Sequence, residues 1–425
     1  MPDTNLVDEV FGSEYDAYRK IPFKSRSAHR MEKMNDQPSK RVLLFVVLTI
    51  GSLTFGVAAA TPALAEIAKA FPEVSSQTIQ MVVTVPSLLI MVSTLVCGVL
   101  SRSIGKKRLV IIGMLLFGIG GITPAFYGGI AFILIMRGVF GVGVGFLLPL
   151  SQALVADYFE GRDRDVFMGY SSSNAAIFGI VFTLLGGFLC DIYWRYTFYA
   201  HLLVVPAFLI VLAKMPEPPK QRVAESLKPA GLTMRSWVFI SAYFVYNIVM
   251  FCFITDLAFV ISADKVGNAG TAGVVMTFSS VGGIFAGIIL GWVTKVFRNY
   301  ALVFALMFLA VGSILLLFVQ SAPMFMLAYA FWGLGFGTFN PLIILEVMGS
   351  VAKSATAFAL AVLTSAMGIG QFISPMFYSL IRNLFGFEGS RSSWIVAASC
   401  FAAAVLVLPI FITLRLRQRQ LSVAG

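Results

Sequence analysis

Apolar runs of 20 or more residues recur along the whole 425-residue chain, separated by short polar turns. About 20 apolar residues is the length an α-helix needs to cross the hydrocarbon of a bilayer. Membrane barrels instead alternate apolar and polar residues in short strands, so these runs can satisfy their backbone groups in lipid only as helices. Soluble domains carry about a quarter charged residues; here the share is 12%, against 58% apolar residues and a mean hydropathy of +0.89. Water-soluble folds are excluded. The hydropathy pattern predicts an all-α membrane protein with twelve transmembrane helices, numbered in order, near 42–70, 78–100, 109–127, 130–157, 167–190, 196–214, 236–262, 270–294, 299–319, 324–349, 354–381 and 392–414. What remains is a tail and loops too short for an extramembrane catalytic domain, and no Gly-x4-Gly-Lys-Ser/Thr loop is present to hold a nucleotide.

The 31 Lys and Arg against 20 Asp and Glu give a formal charge of +11, which invites a nucleic-acid reading. Their placement argues otherwise. On the expected topology 25 basic residues fall on one side of the membrane, five on the other (Lys69, Arg195, Lys265, Arg382, Arg391), and Arg137 lies inside a span. Basic residues collect on the cytoplasmic face. The charge is therefore topology, with both termini expected in the cytoplasm of a multi-pass cell-membrane protein and no nucleic acid among its partners. Residues 1–41 lack an apolar stretch and are expected to form a cytoplasmic tail, not a signal peptide. Cys97, Cys190, Cys252 and Cys400 all fall in spans without metal-ligand spacing, and His29 and His201 are isolated. No metal, disulfide framework or cofactor is expected.

Prolines 216, 218 and 219 cannot continue a helix, and the segment 215–235 reads as a cytoplasmic middle loop between two six-helix bundles, 42–214 and 236–414, with 415–425 as a C-terminal tail. An internal repeat supports the division. Gly141, Gly143, Gly145 and Pro149 in helix 4 recur as Gly333, Gly335, Gly337 and Pro341 in helix 10, 192 residues on. Gly98-x3-Arg102 recurs as Gly291-x3-Lys295 at an offset of 193. Glycines permit close helix contact in membranes, and their recurrence at one offset argues for two pseudo-symmetric bundles.

The same residues carry a family likeness. Gly98-Val-Leu-Ser-Arg-Ser-Ile-Gly105-Lys106-Lys107-Arg108, Ile133-x3-Arg137-x3-Gly141, Thr61-Pro62 at the end of helix 1, Asp157-Tyr-Phe with Arg162 and Arg164, and Trp194-Arg195-Tyr-Thr-Phe198 occur in order along the chain. Over about 42–414 it resembles the major facilitator superfamily. It departs from that pattern at Arg102, where the family has a loop acid, and at Ser103, where it has a base. Phe182-Thr183 stands where drug/proton antiporters carry Gly-Pro in helix 5, and helix 1 has no acid before Glu66.

Ionisable groups deep in hydrocarbon are costly and mark function. Arg137, Glu346 and Asp256 are the candidates for proton coupling. Arg137 is either a fixed charge near a proton site or anionic substrate, or a hub that hydrogen-bonds backbone carbonyls. Glu346, five residues after Pro341, is a proton site if buried among apolar neighbours; near the cytoplasm it would pair with Lys295, Arg298 or Lys353. Asp256, in the outer part of helix 7, is a proton carrier or outer-gate acid, or pairs with Lys265 or Arg382. Asp157 is expected to latch onto Arg102 or Lys106, in a cytoplasmic gate with Gly98, Gly105 and Lys295. Gln152, Asn174, Asn247, Asn340 and Gln371, accompanied by Tyr243, Tyr246, Tyr329, Trp332 and Tyr378, would line a largely apolar substrate cavity with a few orienting groups.

The resemblance, taken with these residues, implies a secondary active transporter, not an enzyme. Its partners would be a small amphipathic organic molecule, protons and the lipid bilayer, and it would work as a monomer by alternating access, in the direction of export. Two alternatives stay open: a symporter or exchanger of an organic anion with Arg137 as counter-ion, and a membrane sensor that binds without transporting.

Overall fold

The computed structural model describes residues 39–218, 231–352, 355–387 and 389–424. Most of the expected N-terminal tail, residues 219–230 of the middle loop, and Lys353 lie outside the described residues. Among the described residues twelve helices are long and apolar enough to cross a membrane: Lys40–Ala60, Ser76–Leu100, Lys106–Ala125, Ile130–Tyr158, Gly161–Ile192, Trp194–Lys214, Met234–Ala263, Ala269–Phe297, Ala301–Phe318, Ala322–Gly349, Phe358–Phe385 and Ser392–Ile410. Each matches one of the predicted helices. One end of the bundle, here the tail side, carries residues 40, 100–106, 158–161 and 214–234; the far end carries 60–76, 125–130, 192–194 and 263–269.

Two helices expected to be continuous are broken. Helix 1 is α-helical over Lys40–Leu53, tightens to a 3-10 turn over Gly56–Ala60, and resumes as a short helix, Leu64–Ala70. Helix 7 runs Met234–Met250 and then continues as two short pieces, Cys252–Thr255 and Leu257–Ala263. Smaller departures are at ends: helix 5 starts at Gly161, six residues early, and helix 6 opens with a 3-10 stretch, Trp194–Leu203.

The glycine repeat is explained by packing. A Cβ on Gly141 would meet the Cα of Pro86 in helix 2 at 2.8 Å, and one on Gly337 would meet the Cα of Gly283 in helix 8 at 2.7 Å. On the opposite face, a Cβ on Gly143 would lie 2.7 Å from the Gly113 carbonyl of helix 3, and one on Gly335 would lie 2.5 Å from the Leu309 nitrogen of helix 9. Helix 4 is thus wedged between helices 2 and 3 as helix 10 is between 8 and 9, the same arrangement in each half.

The halves meet at the far end. Both carboxylate oxygens of Asp191, at the end of helix 5, accept from the Gly270 N–H at the start of helix 8, at 3.0 and 3.1 Å. Glycines at 187 and 273 bring the same two helices together. One apolar core joins the second half to far-end residues of the first, such as Leu64, Ile79 and Phe198, whereas a second core lies wholly within the first half. Toward the tail side residues 166 and 168–170 of helix 5 are exposed, while Phe167 packs 4.5 Å from Phe159. Asn174, Asn340 and Gln371, in the middle of helices 5, 10 and 11, are partly exposed, which places a cleft between the halves on this side.

Candidate functional site

Asp256 sits at the break in helix 7 and is 4% exposed. Its Oδ1 accepts a short hydrogen bond from the Gln80 amide of helix 2, in the other half, and the Thr255 hydroxyl lies 3.3 Å away. Neither expected cation pairs with it directly: Arg382 donates to the Ser393 hydroxyl at 3.2 Å, and Ser393 lies between them. A carboxyl sealed at the junction of the two halves, without a directly paired cation, is costly to bury as the anion and much less so as the neutral acid.

Arg137 is completely buried and is a hub. Pro86 has no N–H, which leaves the Val82 carbonyl four residues earlier without its helical donor; Arg137 Nε donates to that oxygen at 2.8 Å. The guanidinium lies 4.2 Å from the centre of the Phe140 ring, and Nη1 is 3.3 Å from His201 Nε2. His201 Nδ1 lies 2.9 Å from the Phe198 carbonyl, and Nε2 lies 3.1 Å from the Gly56 carbonyl, where helix 1 tightens to its 3-10 turn. The histidine that the sequence left isolated is the partner of Arg137. Enclosed in this way, Arg137 presents no charge to the cleft.

The second half treats its broken helix alike. Tyr378 donates to the Val249 carbonyl at 2.7 Å, Trp394 to Cys252 at 3.3 Å, Ser374 to Ile248 at 2.7 Å, and Tyr329 to Phe253. Tyr329 stands 192 residues after Arg137, the repeat offset, and both side chains donate to a backbone carbonyl, Arg137 in proline-containing helix 2 and Tyr329 in broken helix 7. Tyr378 and Trp332, both 2% exposed, and Tyr246, packed 4.2 Å from Phe339 and 6.1 Å from Phe401, therefore belong to the interior of this half. In this state the three side chains are enclosed within the second half.

What remains at the cleft is polar and uncharged. Tyr243 donates to Asn340 Oδ1 at 2.6 Å, and Asn340 donates to the Phe336 carbonyl at 2.9 Å. Gln371 reaches Asn247 Oδ1 at 3.4 Å; Asn247 itself is buried and donates to the Tyr243 carbonyl. Across the cleft Asn174 donates to the Leu48 carbonyl at 2.9 Å, and Gly51 places Ser151 and Ser171 beside it. Gln152 is exposed.

Glu346 is not buried. It is 39% exposed and bonded to Arg235 at 2.7 Å on the tail side, not to Lys295 or Arg298, so the burial that motivated a proton role is absent. Asp157 does pair with Lys106, at 2.6 Å, and is itself 2% exposed. Both belong to the first half. Arg102 and Lys295 are exposed, and a Cβ on Gly98 would meet nothing, whereas Gly105 caps helix 3 against Glu217.

Together the paired bundles, the cleft and the sealed acid define a carrier built from two similar halves. The sequence pattern of the Major Facilitator Superfamily matches residues 44–263 and 239–423, and the chain belongs to that superfamily. It is a multi-pass membrane transporter of a small-molecule substrate and not an enzyme. The quinolone resistance protein NorA of Staphylococcus aureus is 26% identical over 322 residues, covering 73% of this chain and 81% of NorA. The crystal structure of the nucleoside transporter NupG superposes with a TM-score of 0.74 at 14% identity, covering 87% of this chain and 99% of that one. A bacterial homologue of the human lysosomal transporter Spinster, inward-facing, gives 0.67 at 14% identity, covering 89% and 96%. These two likenesses show the fold.

Proposed function

We propose that this transporter exports a small, amphipathic organic molecule from the cell by alternating access, as a monomer, in exchange for protons bound by Asp256. The positive-inside rule makes the tail side cytoplasmic, so the described state opens inward. The observation that carries the reading is the burial of Asp256 against Gln80 of the opposite half. When the far end is open, Asp256 is hydrated and ionises; closure is cheaper once it has taken up a proton. Proton uptake from outside and return to the inward-open state thus favour each other, the linkage an antiporter needs. The division into bundles 42–214 and 236–414 supplies the two rocking bodies.

The uncharged cleft around Asn174, Asn340 and Gln371 suits an apolar molecule with a few hydrogen-bonding groups. Because Arg137 is enclosed, an anion has no counter-ion there, and symport of an organic anion is the weaker reading. Likeness to a quinolone resistance protein supports a drug-sized substrate.

The test is transport of a fluorescent amphipathic dye by the full chain in proteoliposomes with an imposed pH gradient. Uphill dye movement is expected in the parent protein. Asp256→Asn is expected to abolish it while dye binding, read by fluorescence anisotropy, persists. Undiminished gradient-driven flux in that variant removes Asp256 as the coupling group, and accumulation of an anion together with protons replaces export by symport.

A further inference from the structure

A proton on Asp256 must also leave toward the cytoplasm, yet in the inward-open state the carboxyl is sealed. Helix 2 offers the route. Gln80, Thr84, Ser87 and Met91 are spaced at 4, 3 and 4 residues and so lie along one stripe of the helix. The stripe starts at Asp256 through Gln80 and ends against helix 11, where a Cβ on Gly368 would meet the Ser87 carbonyl at 3.0 Å and the Met91 Cβ at 3.3 Å. Gln80 is 3% exposed and Thr84 0%, whereas Ser87 and Met91 are partly exposed. Thr84 is therefore the last sealed position between the acid and the cleft.

Its hydroxyl has no partner among the described residues, a condition shared there by the buried hydroxyls of Ser313, Ser392 and Tyr246. Serines and threonines inside helices usually return their hydroxyl to the carbonyl four residues back. Here Thr183 does so at 2.7 Å, Thr338 at 2.7 Å, Thr364 at 2.9 Å and Ser365 at 2.9 Å. Thr84 does not. A buried hydroxyl left without a bond costs about 1–3 kcal/mol, and an ordered water recovers most of that where polar neighbours are within reach. Resting on the reading of Asp256 as the coupling carboxyl, we propose that Thr84 is a positioning residue whose hydroxyl seats the water through which Asp256 exchanges its proton with the inward-open cleft. The proton passes from the carboxyl to that water and on to cleft water, and no other bond changes.

The other groups around Asp256 do not provide the route. Arg382 on helix 11 stands behind Ser393, Cys252 is on the same helix, and Tyr329 and Tyr378 are already bonded to helix 7 carbonyls. Arg137 meets helix 2 on its opposite face, at Val82.

The experiment is time-resolved infrared spectroscopy of the purified full chain after a pH jump, following the carboxyl band that Asp256→Asn removes. Thr84→Val has nearly the same shape and lacks only the hydroxyl. It is expected to slow proton exchange by about tenfold or more, the equivalent of roughly 1.4 kcal/mol of barrier, with the titration midpoint and thermal stability unchanged. Thr84→Ser is expected to restore the rate. Exchange as fast in Thr84→Val as in the parent overturns the relay, as does equal slowing by serine. If the parent shows no Asp256-dependent band, the coupling role of Asp256 itself fails and the relay with it.

Discussion

The sharpest structural prediction concerns the glycines that fix how closely helices pack in each half. Gly143→Ala and Gly335→Ala place one methyl group at corresponding positions, 192 residues apart. At Gly143 the new carbon would stand 2.7 Å from the Gly113 carbonyl oxygen; at Gly335 it would stand 2.5 Å from the Leu309 nitrogen and 3.0 Å from the Ala305 carbonyl. Favourable heavy-atom contacts lie near 3.5–4.0 Å, so helix pairs 3–4 and 9–10 must separate by on the order of 0.5–1 Å. The obstructing atoms are backbone, which no rotamer change can move. Overpacking of this kind costs about 1–3 kcal/mol, offset only in part by the better helix propensity of alanine, about 0.5–1 kcal/mol. Gly287→Ala is the control, since a Cβ there meets nothing within 4 Å. Thermal unfolding of the three variants in one detergent measures the difference. Both wedge substitutions should lower the midpoint and the control should not. A stable Gly143→Ala paired with a damaged Gly335→Ala, or the reverse, refutes the claim that the halves pack by one rule.

Three further outcomes follow from the site. Glu346→Gln should leave gradient-driven transport intact and change stability by less than about 1 kcal/mol, because its ion pair with Arg235 is exposed; loss of transport in vesicles would return Glu346 to the coupling machinery. Arg137→Lys cannot serve both Val82 and His201 and should destabilise the protein by about 1–3 kcal/mol. Unchanged unfolding with lost substrate binding would instead make Arg137 a substrate contact. Lys106→Ala should destabilise by about 1–3 kcal/mol by stranding the buried Asp157 carboxylate, and adding Asp157→Ala should recover most of the loss in a double-mutant cycle.

The spans were legible because crossing a bilayer is a local requirement, met by each apolar run separately. The repeat was legible for a related reason: a close helix contact leaves a glycine at a fixed place, and Gly141, Gly143 and Gly145 mark two faces of one helix within five residues. The break in helix 7 left no comparable mark. No glycine or proline lies between Met234 and Ala263, and carbonyls around the break accept from Tyr329, Tyr378 and Trp394, which lie 76 to 142 residues away in the chain.

The same distinction divides the ionisable candidates. Arg137, Asp256 and Glu346 were all visible as charges within apolar runs, but their roles depend on depth and partners, which a single run does not encode. Glu346 gained an exposed Arg235 from 111 residues away, whereas Asp256 gained Gln80 from 176 residues away and no direct cation. Gln80 and His201 gave no local signal, since an amide or an imidazole in a span gains meaning only from what faces it. That difference also separates scaffold from machinery. Contacts such as Arg137 with His201 stay within one half and can persist through the transport cycle, while the bond between Gln80 and Asp256 joins the halves and must break when the far end opens. Among the described residues Asp256 is the titratable group bonded across this seam by its side chain to another side chain, and this is why the proposed coupling role falls to it.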